Sequence, residues 1–137
     1  MIGIFLLSLL ILAPGDYPAD VVRVIDGDTV AVNVRVWPSV LIETSIRVLG
    51  VDTPELRGKC ESEREKAREA RSFVRKLLPA GSKIVLKKVK PDKYAGRHDA
   101  EIWLADGRSL AELLIGAKLA REYHGEARQT WCEVIEN

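Results

Sequence analysis

The segment Ile46-Arg47-Val48-Leu49-Gly50-Val51-Asp52-Thr53-Pro54-Glu55 decides the fold, because an alternating run of β-forming residues ends there in a turn. Pro54 lacks an N–H and directs Thr53 towards extended geometry, so we expect a strand to end at this point. The carboxylates of Asp52 and Glu55 would then lie at the strand's end. Rigid scaffolds carry their chemistry on loops at strand ends, so this segment is also the first candidate for a site.

Similar runs on either side of this segment predict further strands. Together with the run that includes it, the strands are predicted at Val21–Ile25, Thr29–Val36, Leu41–Val51, Ser82–Val89 and Ala100–Leu104. Helical spacing and capping residues predict helices over Cys60–Leu78, from Ser109 to about Leu119, and over Glu126–Glu133. Five short strands with two to three α-helices in this order predict a mainly β (α+β) domain, a five-stranded Greek-key barrel of the oligonucleotide-binding (OB) type. A β-sandwich would give a similar pattern.

Composition and charge exclude several classes of protein. A chain of 137 residues fits one domain with a single core. With 47% apolar and 30% charged residues, it is typical of a folded globular protein rather than a disordered or fibrous one. Lys and Arg number 21 against 20 Asp and Glu, so the net charge of +1 gives no general attraction to nucleic acid. Any recognition of phosphate must therefore be local.

Residues 2–13 are almost continuously apolar. A membrane-spanning helix takes roughly 20 residues, so this segment is too short to cross comfortably. Its length suits the apolar region of a secretory signal cleaved after Gly15, although no Lys or Arg precedes it. We expect residues 1–15 to be a signal peptide or N-terminal hydrophobic segment and residues 20–137 to form the domain. The protein would be secreted or periplasmic, or membrane-anchored if the segment is retained; a first buried strand is the third alternative.

The two cysteines, Cys60 and Cys132, have two interpretations. In an exported domain an even number favours a disulfide, whereas in a reducing cytosol both would be thiols. The chain contains no CxxC pair and no Cys/His cluster, so a zinc site is not predicted.

Four acids stand at two predicted strand ends, Asp26 and Asp28 in a hairpin turn and Asp52 and Glu55 in the segment quoted above. If the fold brings them together, their oxygen atoms suit Ca²⁺ or Mg²⁺ rather than a thiophilic metal. Simpler interpretations stay open at this point. The two aspartates around Gly27 are also common turn residues, and Glu55 could be a solvated loop acid.

Two arginines, Arg47 on a strand and Arg97 after a loop, add cations to this set. A planar guanidinium can bridge phosphate oxygens and offset the charge that develops at phosphorus. For Arg47 an exposed salt bridge is the alternative. Two arginines, a divalent ion and a carboxylate that accepts a proton from water would together serve phosphoryl transfer.

Three motifs in this order resemble the signature segments of the staphylococcal nuclease (thermonuclease) family. They are Val24-Ile25-Asp26-Gly27-Asp28-Thr29-Val30, the segment Arg47–Glu55, and Asp92-Lys93-Tyr94-Ala95-Gly96-Arg97. The resemblance covers about residues 20–123. The ending, Arg128 with Trp131-Cys132, is similar to that of exported bacterial members that also carry a cysteine at the position of Cys60, which implies the Cys60–Cys132 pair.

The resemblance implies a Ca²⁺-dependent nuclease with DNA and RNA as substrates. Such an enzyme would cleave the 5′ phosphorus–oxygen bond in line and leave 3′-phosphate ends. Ca²⁺ would bind the carboxylates of Asp28 and Asp52 and the backbone carbonyl of Thr53. Asp26 would lie behind these ligands, in the outer sphere.

The resemblance also implies roles around the substrate. Arg47 and Arg97 would bind the scissile phosphate, and Glu55 would act as general base or position the attacking water. The remaining matched positions would contact the nucleotide: Lys93, Tyr94 and, more loosely, Tyr123.

The chain departs from the family pattern beside Arg97. Ala95 is an extra residue in the preceding loop, and His98-Asp99 replaces a pair that is usually small or apolar. We expect Asp99 to face solvent, since alternation from Ala100 turns it outward; the alternative is that it lowers the local positive potential. His98 is expected to be incidental to the chemistry.

Two other functional classes stay open. The first is a non-catalytic barrel that binds nucleic acid or a protein, and the second is a structural or anchored envelope protein. Acids at 28, 52 and 55 argue against the first, and the second rests only on the apolar N-terminal segment. No stable protein partner is implied, and a monomer is expected.

Overall fold

Seven strands and two helices lie in the part of the chain that the structure, a computed structural model, describes: residue 12 and residues 14–132. They are β1 (Tyr17–Asp26), β2 (Thr29–Trp37), β3 (Val40–Val48), β4 (Val51–Asp52), α1 (Glu61–Leu77), β5 (Lys83–Pro91), β6 (Arg97–Leu104), α2 (Leu110–Gly116) and β7 (Arg121–Glu122). The segment predicted as a signal peptide, residues 1–15, falls largely outside the described residues. Among the described residues, no helix is both long and apolar enough to cross a membrane.

The long strands close into a five-stranded barrel in the order β1-β2-β3-β6-β5, with β5 pairing back onto β1. Neighbouring strands are antiparallel except β3 and β6, which are parallel. A three-stranded meander followed by two further strands in this order is a Greek-key barrel of the OB type. The predicted barrel is therefore confirmed, and the sandwich is not the fold.

Alternating residues of the barrel strands form the core. In β3, Ile46 and Val48 are fully buried while Arg47 between them points out of the barrel, and Ala100 and Ile102 alternate in the same way in β6. Burying an apolar side chain of valine or isoleucine size contributes about 1.5–3 kcal/mol. A slip of one residue would expose these side chains, so the core fixes the register that positions Arg47.

Helix α1 packs against the β1–β2 turn at Gly27. A Cβ atom added to Gly27 would lie only 2.8 Å from the Cβ of Ala70, so glycine allows this close approach. The backbone N–H of Asp28 donates to Oδ1 of Asp26 at 3.1 Å and closes the turn. The contact with α1 thereby fixes the turn that carries both aspartates.

Both long predicted helices form. Helix α1 begins and ends one residue inside its predicted bounds. At the start of α2, Oγ of Ser109 accepts a hydrogen bond from the N–H of Glu112 at 3.4 Å, as the capping pattern predicted. Helix α2 ends at Gly116 rather than near Leu119, because Lys118 has a φ of 60° that ends the helix.

The prediction of one unbroken strand over Leu41–Val51 is wrong. Gly50 has a φ of 84°, a left-handed conformation that glycine tolerates, and it divides the segment. Strand β3 ends at Val48, and β4 after the break pairs with β7. This break turns Asp52 away from the barrel sheet and towards the C-terminal part of the chain.

The prediction of a third helix over Glu126–Glu133 is wrong for residues 126–132, which are not helical; Glu133 lies outside the described residues. Three side chains of this segment bond to residues between 52 and 60: Arg128, Trp131 and Cys132. An extended chain can reach partners spread along another segment. Tertiary contacts therefore override the local preference for a helix.

Candidate active site

One cleft, with a volume of about 530 Å³, gathers side chains from all three motifs. It lies where the β1–β2 turn, the end of β3 and the β5–β6 loop meet. The residues that line it are Asp26, Asp28, Thr29, Arg47, Glu55, Asp92, Lys93, Tyr94, Arg97, Asp99, Tyr123 and Arg128. Asp52 lines an adjoining pocket together with Arg121 and Tyr123. The predicted catalytic residues Arg47, Glu55 and Arg97 thus share one cleft with Asp28.

Strand pairing places Arg47 between one residue of β2 and one residue of β6. Its partners in register are Thr29 of β2 and Asp99 of β6. Nη2 of Arg47 lies 3.9 Å from Oδ2 of Asp28, and 27% of the arginine side chain is exposed. A guanidinium has five N–H donors, so this single long contact leaves several for another anion in the cleft.

Asp28 is buried at the foot of the cleft, with 6% of the residue exposed. Oγ1 of Thr29 donates to its Oδ1 at 3.0 Å. Burial raises the pKa of Asp26 to about 7, and the hydrogen bond and charge of Asp28 add to the effect. Burial and the neighbouring carboxylate therefore make it costly to charge both aspartates together.

Asp52 is almost fully buried, with 2% exposed, and both of its carboxylate oxygens accept hydrogen bonds from the C-terminal tail. Oδ1 accepts from Nε of Arg128 at 2.9 Å and from Nη2 of the same side chain. Oδ2 accepts from Nε1 of Trp131 at 3.0 Å. Thr53 is equally buried. The sequence motifs singled out Asp52 but gave no sign of these partners, which lie 76 and 79 residues further along the chain.

Arg128 also reaches Glu55, whose Oε1 accepts from Nη2 at 2.9 Å. The side chain of Glu55 is 49% exposed, so water reaches its carboxylate. Burial alone would lower the pKa of the Arg128 guanidinium, but the hydrogen bonds to Glu55 and Asp52 outweigh burial and raise this pKa above its usual value. One arginine thus bridges two of the acids that the motifs predicted for the site.

Glu63 holds the backbone of the segment that carries Glu55. Its carboxylate, in the first turn of α1, accepts from the N–H of Glu55 at 3.0 Å and from the N–H of Lys59 at 3.2 Å. The sequence motifs did not identify Glu63. The available signal was its place on the buried face of α1, one helical turn before Ala67, where a carboxylate needs partners.

The β5–β6 loop forms a basic and aromatic rim on the cleft. Nε of Arg97 lies 3.1 Å from Oδ2 of Asp92. The Arg97 guanidinium stands 4.8 Å from the ring centre of Tyr94, and Nζ of Lys93 stands 5.3 Å from it. Tyr94 is 57% exposed, so part of its ring is accessible to an aromatic base.

The prediction that Asp99 faces solvent holds in part, because the side chain is partly exposed but lines the cleft. Alternation does turn Asp99 out of the barrel, but its outward face is the floor of the cleft beside Arg47. Its Oδ1 is buried and has no hydrogen-bond partner among the described residues. Burial raises the pKa of Asp99, and the adjacent Asp92 carboxylate raises it further. The charged form of Asp99 is therefore disfavoured at this position.

The histidines lie apart from the lining of this cleft. Nδ1 of His98 is 2.9 Å from Oγ1 of Thr44, and the ring borders an apolar pocket on the other face of the strand. His124 is exposed, with Nε2 3.5 Å from Oε1 of Glu122.

Cys60 and Cys132 form a disulfide, with their Cα atoms 5.9 Å apart. The pairing implied by the family resemblance is confirmed. Together with Glu63, these cysteines place three metal-type ligand atoms within 4.8 Å of one another in the described part of the chain. Both sulfur atoms are bonded to each other in the disulfide, so this group offers no thiolate to a metal.

The predicted metal ligands are chemically suited to a hard divalent cation. Asp28 and Asp52 are buried carboxylates, and the carbonyl of Thr53, the residue after Asp52, is a further oxygen donor. A guanidinium already binds Asp52, which shows that this carboxylate attracts positive charge. The donor set therefore fits Ca²⁺ or Mg²⁺ better than a thiophilic ion.

A family model described as "Staphylococcal nuclease homologue" matches residues 45–134 of the chain. The matched region is more than half of the protein. It includes the second and third motifs and both cysteines, while the first motif precedes it.

Proposed function

This chain belongs to the staphylococcal nuclease family, and from that premise we propose that it is a Ca²⁺-dependent nuclease that hydrolyses phosphodiester bonds of DNA and RNA. The observation that carries the proposal is the cleft in which Arg47, Arg97 and Glu55 lie together with the buried Asp28. Cationic donors, a solvated carboxylate and a hard-metal ligand in one cleft are the parts that phosphodiester hydrolysis needs.

In this proposal Asp28, Asp52 and the carbonyl of Thr53 bind Ca²⁺, with Asp26 behind them. The ion supplies a positive charge that polarises the phosphate and offsets charge at phosphorus. Oxygen donors favour Ca²⁺ over softer metals. Asp26, with a pKa of about 7, accepts the hydrogen bond from the N–H of Asp28 and so holds the liganding turn in shape.

Arg47 and Arg97 bind the non-bridging oxygens of the scissile phosphate. Each lies in the cleft and keeps N–H donors beyond its pairing with Asp28 or Asp92. Charge-assisted hydrogen bonds from a planar guanidinium strengthen as negative charge grows on these oxygens, so both arginines favour the transition state over the ground state.

Glu55 takes a proton from the attacking water. Its carboxylate is half exposed, and its backbone is fixed through Glu63. The water oxygen forms a bond to phosphorus as the bond to the 5′ oxygen breaks, which leaves a 3′-phosphate and a 5′-hydroxyl. The leaving 5′ oxygen takes a proton from solvent, and Glu55 returns the proton that it accepted to solvent.

Lys93, Tyr94 and Tyr123 bind the parts of the nucleic acid on either side of the scissile phosphate. The exposed ring of Tyr94 offers a stacking surface, and Lys93 beside it offers a cation for a second phosphate. Since stacking needs unpaired bases, single-stranded substrate should be cut faster than duplex.

The test is incubation of the folded, oxidised protein with single-stranded DNA and with RNA, in Ca²⁺ and in chelator. Cleavage that requires Ca²⁺ and leaves 3′-phosphate ends supports the proposal. Cleavage that persists in chelator, or no cleavage of either substrate, contradicts it.

A non-catalytic OB-fold module that binds nucleic acid or a protein is the second candidate. The observation that favours it is Arg128, which engages both Asp52 and Glu55. Binding of single strands without cleavage in the same assay would select this alternative.

We propose that the protein is monomeric and is exported from the cytoplasm. It would be secreted or periplasmic, or anchored in the membrane if the apolar segment is retained. The Cys60–Cys132 disulfide supports an oxidising compartment. Fractionation of cells with N-terminal sequencing of the product tests this, and a reduced cytosolic protein would contradict it.

A further inference from the structure

The segment 128–132, here called the strap, places Arg128 at the site. Several contacts hold the strap, rather than a single surface contact. The disulfide of Cys132 ties the far end of the strap to Cys60. Nε1 of Trp131 donates to Asp52, and Arg121 stacks with its guanidinium carbon 3.8 Å from the centre of the Trp131 ring.

The same Arg121 fixes the backbone of the strap. Its Nη1 donates to the carbonyls of Gln129 at 3.3 Å and of Thr130 at 2.9 Å. These contacts and the disulfide therefore hold residues 129–132, which follow Arg128, while Arg128 itself bonds to Asp52 and Glu55.

Arg128 and Asp52 border different pockets. Arg128 lines the cleft that contains Arg47 and Arg97, whereas Asp52, whose side chain is only 3% exposed, lines the adjoining pocket with Arg121 and Tyr123. The guanidinium therefore reaches from the cleft to a carboxylate that is itself buried.

A divalent cation and Arg128 need the same oxygen. Oδ1 of Asp52 already accepts two N–H groups from the guanidinium, and Oδ2 accepts from Trp131. A buried carboxylate without a cation is costly, so in the metal-free protein the arginine stabilises Asp52. Metal binding must replace that stabilisation before it yields any net gain.

We propose that Arg128 is a further residue of the cation site, an internal counter-ion that competes with the divalent cation for Asp52 and thereby sets the affinity of the site. The inference rests on the proposed function, since it takes Asp52 as a metal ligand. Arg128 itself lies outside the three motifs, although its partners Asp52 and Glu55 belong to the second.

The strap makes the competition dependent on the disulfide. Opening the Cys60–Cys132 bond removes the covalent tie at the end of the strap and leaves Trp131 and Arg121 to hold it. The local concentration of the guanidinium at Asp52 then falls, so divalent cations should bind more tightly.

The experiment is isothermal titration of the oxidised full chain with Ca²⁺, without nucleic acid. Arg128→Gln removes the competing charge and leaves Trp131 on Asp52, so we expect Ca²⁺ to bind roughly tenfold more tightly than to the wild type, the scale of change produced by residues around metal ligands. Arg108→Gln makes the same change of charge at an exposed turn and should leave the affinity unchanged.

Two further variants keep the test independent of one substitution. Cys60→Ser with Cys132→Ser should shift the affinity in the same direction as Arg128→Gln, by a smaller factor. Asp52→Asn in the Arg128→Gln background should abolish the gain, because the contested oxygen has lost its charge. Circular dichroism confirms that each variant is folded before titration.

The outcomes separate this inference from the proposed function. If the wild type binds Ca²⁺ and cuts nucleic acid but Arg128→Gln binds no more tightly, the counter-ion role is wrong and the nuclease stands. If neither protein binds Ca²⁺ and the wild type does not cut, both proposals fail. Tighter binding in Arg128→Gln together with Ca²⁺-dependent cleavage supports both.

Discussion

The backbone N–H of Glu55 donates to the buried carboxylate of Glu63 at 3.0 Å, so the first turn of α1 holds the residue that we propose as the base. Glu63→Ala removes this acceptor and leaves two backbone donors without a partner. We expect a loss of about 1–3 kcal/mol in the free energy of unfolding. We also expect kcat to fall roughly tenfold to a hundredfold, because Glu55 is no longer fixed.

Urea denaturation and steady-state kinetics measure these two effects. Glu65→Ala removes an exposed carboxylate from the same helix and should change neither. A folded Glu63→Ala protein with the wild-type kcat would show that this contact does not position the base.

Asp99→Asn tests the negative charge on the cleft floor through the dependence of stability on pH. The folded pKa of Asp99 lies above the usual value of 3.8, so its protonated form is favoured in the fold. Stability from this group is complete below pH 3.8 and is lost as the pH rises through the folded pKa. At neutral pH the variant should therefore be more stable, by about 1 kcal/mol or less since water screens the pair.

Thermal unfolding from pH 3 to pH 8 checks this prediction: the two proteins should converge at the acid end. Asp106→Asn is the matched control, because hydrogen bonding at Arg108 lowers the pKa of Asp106 and its removal should bring no gain at neutral pH. A difference between wild type and Asp99→Asn that grew towards low pH would contradict the assignment.

Gly27→Ala tests the contact that fixes the aspartate turn. The new Cβ would lie 2.8 Å from the Cβ of Ala70, so turn and helix must move apart. We expect a loss of about 1–3 kcal/mol in the free energy of unfolding. Gly116→Ala adds the same atom where nothing lies within 4 Å and should be neutral or slightly stabilising. Equal stabilities of the two variants would show that the close approach is not needed.

Replacing both cysteines by serine tests the disulfide. It joins residues 72 positions apart, and on the chain-entropy model a closed loop of that length stabilises by roughly 4 kcal/mol. Denaturation with and without reductant measures the effect: the wild type should lose stability on reduction, and the double serine variant should not respond. A wild type that is equally stable when reduced would mean that the non-covalent contacts of the strap suffice.

The barrel could be predicted from the sequence because each strand is short, alternating and bounded by turn residues. The core positions Ile46, Val48 and Ile102 follow directly from that alternation. The ends of the strands and helices were harder to predict. A break at Gly50 and a helix end at Lys118 depend on positive φ angles, which alternation and periodicity do not encode.

The site could be predicted where it follows the motifs and not where it depends on long-range packing. Arg47, Glu55 and Arg97 do meet in one cleft with Asp28. Alternation correctly turned Asp99 out of the barrel, but only the closed fold shows that this face is the cleft floor. The contact between Arg128 and Asp52 spans 76 residues and depends on where the disulfide places the strap, so no local pattern contains it.

The central claim is that Glu55 takes a proton from water in a Ca²⁺-dependent cleavage. The most direct measurement is the single-turnover rate of single-stranded DNA cleavage in saturating Ca²⁺ for wild type and Glu55→Gln, with substrate affinity measured in parallel. We predict a rate lower by roughly 10²–10⁴-fold, with affinity for the nucleic acid largely unchanged. An equal rate for the two proteins would contradict the account.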